Sequence, residues 1–210
     1  MRRHLMGLLL LGVLAVPALA ADEAPTKWVK LFNGKDLSGW EVYPSGTGQW
    51  VVQSGAIVGT GPASHLFTKR ADYTDFHVRA ECWISDKGNS GLYFRTKFGP
   101  GFPKGYEAQI NATHTDKIRT GSLYPSFNPS KEDRQKIVVL NDAPHKPDEW
   151  FTQEVTAVGN HIIIKVNGKK TVDFVDPQNT YTKGHFALQQ HDPKTVVKFR
   201  KIEYKELPSK

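Results

Sequence analysis

Residues 161–175 read HIIIKVNGKKTVDFV, two runs of alternating apolar and polar residues joined by Asn167-Gly168. Side chains of a strand alternate between its two faces, and an Asn-Gly pair supplies the positive φ angles that a two-residue hairpin needs. Residues 161–174 are therefore a hairpin. The same grammar recurs along the chain, where 18 glycines and 13 prolines separate short runs rich in β-branched and aromatic residues. These runs fall at 28–32, 39–43, 49–53, 56–59, 75–85, 90–97, 105–111, 120–124, 150–158, 161–166, 170–174, 184–190 and 195–206. Helical periodicity is nearly absent, so the expected class is all-β. So many strands in one domain require two packed sheets or a barrel. Stability must come from packing, because the single Cys82 permits no internal disulfide. Cys82 shares the parity of Phe76, Val78, Ala80 and Ile84, which marks it as a buried thiol without chemistry.

The first 20 residues, MRRHLMGLLLLGVLAVPALA, place two arginines before an apolar run that ends at Ala18-Leu19-Ala20. That is the pattern of a cleaved signal peptide, and the expected location is the periplasm or the extracellular space. The run is shorter than the roughly 20 apolar residues of a membrane span, and no later segment approaches that length. Residues 21–27 read as a flexible lead and 28–206 as a single domain. The formal charge of +7 is dispersed, with no arginine-rich helix and no nucleic-acid motif. Nucleic acid is not an expected partner.

Three runs carry an unusual polar face. In GYEAQI, Glu107 and Gln109 oppose Tyr106, Ala108 and Ile110; in NSGLYFRTK, Gly91, Tyr93 and Arg95 oppose Leu92 and Phe94; in HFALQQH, Ala187, Gln189 and His191 oppose Phe186, Leu188 and Gln190. A solvated sheet face shows the same alternation without any function. Surface strands favour Lys, Thr and Glu, however, whereas Tyr, Arg, Gln, Asn and His suit a polyol. If the first two runs pair across the connection KFGPGFPKG at 97–105, Tyr93, Arg95, Glu107 and Gln109 share one face. Asn89 and Ser90, just before the strand, read as turn residues or ligand contacts. A second long connection, 125–149, is polar throughout. Trp28, Trp40, Trp50 and Trp150 are expected to pack the interior, while parity turns Trp83 outward.

The segments LFNGKDLSGW, QWVVQSGAIVG, NSGLYFR, GYEAQI, TGSLY and ALQQHDPKTVVKFRKIEY together resemble the 3-keto-disaccharide hydrolase domain family over about residues 28–206. The resemblance implies a concanavalin A-like jelly roll of two antiparallel sheets whose concave face holds sugar. It implies that this face carries Arg95, Glu107, Gln109 and His191, with Asn89, Ser90, Tyr93 and Tyr124 at its margin, and Gln189 joins them by parity. The expected partner is a carbohydrate, either a 3-keto-sugar or a glycan.

A ketone at C3 acidifies the C2 proton, so a carboxylate can remove it, and the resulting enediolate expels the C1 substituent before water adds back. Glu107 is the expected base or general acid/base, Arg95 or a bound cation the stabiliser of the enolate oxygen, and His191 the carrier of the leaving-group proton. Conventional glycoside hydrolysis needs two flanking carboxyls, and GYEAQI supplies one. The histidines are scattered without a ligand pattern. His114 with Asp116 and His191 with Asp192 could still contribute ligands, so a divalent metal remains an open option. The alternatives are a lectin-like binder without catalysis and an envelope scaffold, which fold alone does not separate from an enzyme.

Overall fold

The computed structural model describes residues 27–209; the expected leader at 1–20 and the lead as far as residue 26 lie outside them. The larger antiparallel sheet runs β11 (Lys169–Val175), β10 (His161–Val166), β9 (Trp150–Val158), β6 (Phe76–Ile84), β13 (Val197–Glu206), β4 (Ala56–Thr60) and β3 (Gln49–Gln53), with β1 (Val29–Lys30) also paired to β13. The smaller sheet runs β2 (Trp40–Tyr43), β5 (Ser64–Thr68), β12 (His185–Gln190), β7 (Ser90–Thr96) and β8 (Tyr106–Ile110).

Alternation builds the sandwich. Along FHVRAECWI in β6 every other residue is buried, from Phe76 to Ile84, and β9 and β10 repeat the pattern. Their inward residues meet Leu66, Leu92, Phe94, Tyr106, Phe186 and Leu188 of the smaller sheet in one core. Cys82 lies in that core, and burial pushes its thiol pKa up. The 161–174 hairpin forms as expected, with φ of 50° at Asn167 and 77° at Gly168. Ser54-Gly55 closes the second hairpin, between β3 and β4.

Several expectations are corrected. Residues 120–124 form a turn with an isolated bridge from Leu123 to Ala108 instead of a strand. The segment after it holds a 3-10 turn at Pro125–Phe127 and a short helix, α1 (Lys131–Ile137), whose first turn is capped where the Asp133 amide donates to Ser130 Oγ at 3.0 Å. Strand β5 is additional to the runs read from the sequence. Trp40 and Trp50 are buried, but Trp28 and Trp150 lie on the outside of the larger sheet, beneath the guanidinium groups of Arg79 (3.8 Å to the ring centroid) and Arg200 (4.0 Å). Trp83 faces outward as its parity requires, under Lys198. Among the described residues no helix is long and apolar enough to cross a membrane.

Candidate functional site

The smaller sheet turns one face to the core and leaves the other to build a site. Pairing aligns Phe67, Ala187, Tyr93 and Glu107 in one row across β5, β12, β7 and β8. A neighbouring row pairs His65 with Gln189, and Gly91 with Gln109. Above Tyr93, Glu107, Gln109 and Gln189 lies a cavity of about 350 Å³. The 97–105 connection contributes Phe102, Pro103 and Lys104 to its walls, the segment after β8 contributes Tyr124 and Ser126, and Tyr181 comes from the loop before β12. Asn89 and His191 complete the lining.

Glu107 is 4% exposed, and burial raises its pKa from 4.5 to about 8; the Tyr93 hydroxyl, donating to it, and the charge of Asp116 act in opposite directions on that shift. Gln189 Nε2 donates to the same Tyr93 oxygen at 3.2 Å, which leaves the Tyr93 proton to point at the acid. Tyr124 donates to Asp116 Oδ2 at 2.9 Å, and burial together with that bond pushes its pKa up to about 12. Gly91 is what allows Glu107 to lie flat on the sheet. A Cβ there would stand 2.2 Å from Glu107 Oε1 and 2.7 Å from its Cγ. Gly91→Ala should evict the carboxyl, costing about 1–3 kcal/mol by overpacking, and denaturant titrations from pH 5 to 9 should show a weaker pH dependence than in the wild type.

Three buried polar atoms at this site have no protein partner: Gln189 Oε1, Asn89 Oδ1 and His65 Nε2. Buried polar atoms are rarely left unpaired in a native fold, and here they flank a cavity. His65 was not among the expected site residues. Its ring lies 5.4 Å from that of Tyr93, and burial, followed by the charge of His191, lowers its pKa to about 4, so it stays neutral. Lys104 and Phe102 were also not foreseen.

Two expected members are placed elsewhere. Arg95 is 1% exposed and points between the sheets, its guanidinium over the Phe76 ring. It donates to the carbonyls of Thr74 (2.8 Å), Gly159 (2.6 Å) and Tyr181 (3.2 Å) and pairs with Asp75. The cause is a bulge: the register against β12 shifts between His185 and Ala187, and Arg95 adopts φ of 50°, which rotates it off the face that Tyr93 shares. Ser90 is fully buried and donates to the Gln189 carbonyl at 2.7 Å, so it fastens two strands instead of meeting a ligand. Glu107, Gln109, Tyr93, Asn89, Tyr124, Gln189 and His191 all line the cavity.

His114, His191 and Asp192 each place a donor atom within 4.8 Å of the others. Their hydrogen bonds do not fit a three-ligand cation site. The Asp116 amide donates to His114 Nδ1 at 3.1 Å, which assigns the proton of a neutral ring to Nε2, 3.8 Å from Asp192 Oδ2. His191 Nδ1 donates to the same oxygen at 3.0 Å. Burial works against the Asp192 charge, but bonds from His191, the Lys194 amide and Thr195 outweigh it and hold its pKa below the usual carboxylate value. What remains is one free nitrogen, Nε2 of His191, on an imidazole oriented by a carboxylate.

The fold and this cavity define a lectin-like β-sandwich with a carboxyl-bearing pocket on its smaller sheet. Residues 27–205 match the 3-keto-alpha-glucoside-1,2-lyase-like domain, and the chain belongs to that family. It is similar to the crystal structure of a candidate glycosyl hydrolase from Parabacteroides distasonis, at 24% identity over 86% of this chain and 94% of that one, with a TM-score of 0.67. It is also similar in fold to a carbohydrate-binding module from Bacillus subtilis, at 17% identity, 80% and 96% coverage, and a TM-score of 0.60. A galectin-like protein from Bacillus subtilis aligns at 14% identity, 90% and 99% coverage, and a TM-score of 0.58. No curated protein matches the chain.

Proposed function

We propose that this protein is an exported enzyme that cleaves 3-keto-glycosides by elimination and hydration in the Glu107 cavity. The carrying observation is Glu107 itself, a carboxyl held near neutrality inside a small cavity beside unpartnered Gln and Asn oxygens, which suit the hydroxyl donors of a sugar. Ionised Glu107 takes the C2 proton, and the electron pair moves onto the C3 oxygen as an enolate. The enolate then re-forms the ketone as the C1–O bond breaks; the electron pair leaves with the aglycone oxygen, which receives the Nε2 proton of His191, a ring that enters this step as the imidazolium held by Asp192 and leaves it neutral. Water adds to the C1–C2 double bond, giving its proton to His191 while Glu107 returns one to C2. The sum is glycoside plus water to 3-keto-sugar plus free aglycone. With Arg95 turned inward, Lys104 is the lysine or arginine left to meet the enolate charge.

Among the described residues Glu107 is the single carboxylate lining the cavity, which disfavours the two-carboxylate hydrolysis of ordinary glycosidases. The test is to incubate the protein with a panel of 3-keto-glucosides, with and without chelator, and to follow substrate loss. Release of 3-keto-sugar supports the reading; glycan affinity without any product would replace it with a binding role. Asp192→Asn, which removes the carboxylate that orients His191, is expected to lower kcat about ten- to a hundredfold with little change in KM, measured by steady-state kinetics.

A further inference from the structure

We propose that the outer part of the cavity is an aglycone site for a flat aromatic alcohol, so that the preferred substrates are 3-keto-glycosides of phenols; this rests on the catalytic reading above. If His191 gives its proton to the oxygen of the breaking C1–O bond, the aglycone begins beside that ring. His114 packs on that ring at 5.5 Å but does not line the cavity; the lining ring beside it is Phe102, with centroids 5.9 Å apart, and Phe102 is also 6.2 Å from His65. Phe102 is 63% exposed, whereas Phe98 of the same connection is pinned at 5.0 Å on Phe67 and 5.1 Å on Tyr43. Phe102 therefore offers an unoccupied aromatic face at the mouth of the cavity, followed by the rigid ring of Pro103. Neither side chain can donate or accept a conventional hydrogen bond. At this site the buried polar atoms left without partners belong to Asn89 and Gln189, which line the cavity, and to His65. A second hexose would bring several hydroxyls that need partners on leaving water; beyond the floor the lining offers Asn89, Lys104, Tyr124, Ser126, Tyr181 and His191, whereas the Phe102 and Pro103 rings at the mouth offer none. A volume of about 350 Å³ is near the lower end of the roughly 300–1,000 Å³ of ligand pockets, which suits one sugar ring with a compact flat group. When the C1–O bond breaks, the electron pair settles on the phenolic oxygen, a better leaving group than an alkoxide because its conjugate acid has a pKa near 10.

The experiment compares kcat/KM for 3-keto-glucosides carrying phenyl, methyl or glucosyl aglycones in the wild type, Phe102→Ala and Phe102→Tyr. Phenol leaves faster on any enzyme, so the diagnostic quantity is the change on substitution. Phe102→Ala should lower the phenyl value about five- to tenfold more than the methyl value, the scale of a lost aromatic contact, and Phe102→Tyr should restore it. Equal losses, or a larger loss with the glucosyl aglycone, would overturn the proposal. A second arm titrates unoxidised phenyl and methyl glucosides by calorimetry. Should no 3-keto-glucoside be consumed, the catalytic reading fails, yet tighter phenyl binding that Phe102→Ala abolishes still upholds the aglycone site. Absence of a phenyl advantage in both arms sinks it.

Discussion

Glu107→Gln is expected to abolish nearly all turnover of a 3-keto-glucoside, by about 10²–10⁴ in kcat, and at the same time to make the protein more stable at alkaline pH. The two effects share one cause. Burial holds the Glu107 pKa at about 8 instead of 4.5, so the folded protein keeps a proton that the unfolded chain has already lost. Between those two values the unfolded state binds fewer protons, and wild-type stability falls as pH rises; above about pH 8 both states are ionised and the loss is complete. An amide never ionises, so the variant should gain about 2–4 kcal/mol over the wild type at pH 9 and much less at pH 5. Urea unfolding at both pH values measures this. Catalysis runs the other way in the wild type, because the base must be ionised, and kcat should climb with pH towards about 8. Equal stability of variant and wild type at pH 9 would show that the carboxyl is not buried as described.

Arg95→Met is expected to cost about 3–5 kcal/mol, since removing one partner of a buried charge network strands the rest. The Thr74, Gly159 and Tyr181 carbonyls would lose their donor, and Asp75 its cation. For a domain of this size that corresponds to a fall in Tm of about 10 °C. Well below the new Tm, kcat per folded molecule should stay within a few-fold of the wild type. A loss of about 10²–10³ in kcat with unchanged Tm, the size of a removed oxyanion donor, would return Arg95 to the catalytic role expected of it from the family resemblance.

The sandwich was legible wherever one face of a strand is buried and the other is not. YEAQI, SGLYF and HFALQQ announced the site because Glu107, Tyr93 and Gln189 interrupt apolar residues at period two. Parity failed at Arg95, where one extra residue in β7 rotates the strand, and no local composition signals that bulge. Strand β5 escaped because SHLFT is buried on both faces and so lacks alternation; its omission hid His65 as well. Phe102 and Lys104 reach the cavity from a connection, where sequence carries no face. The helix α1 is short and polar, with Ile137 its buried residue, so its apolar period is too brief to read. Size alone points Trp28 and Trp150 inward, whereas arginine planes cover them outside the sheet.

The cavity's two flanks are anchored very differently. On the Tyr181 side, Asp176 accepts from Tyr106, Thr180 and the Gln178 amide, the Tyr181 amide donates to Tyr106, and Arg95 grips the Tyr181 carbonyl. The 97–105 connection is tied at its base, where the Lys97 amide and Thr96 hydroxyl meet the Lys104 carbonyl, and beyond that it rests on ring contacts, Phe98 on Phe67 and Tyr43 and Phe102 beside His65 and His191. Hydrogen-exchange protection is therefore expected to be lopsided, weaker along 97–105 than around Tyr181, which would make the first flank the one that yields to an entering molecule and the second the one that fixes its angle.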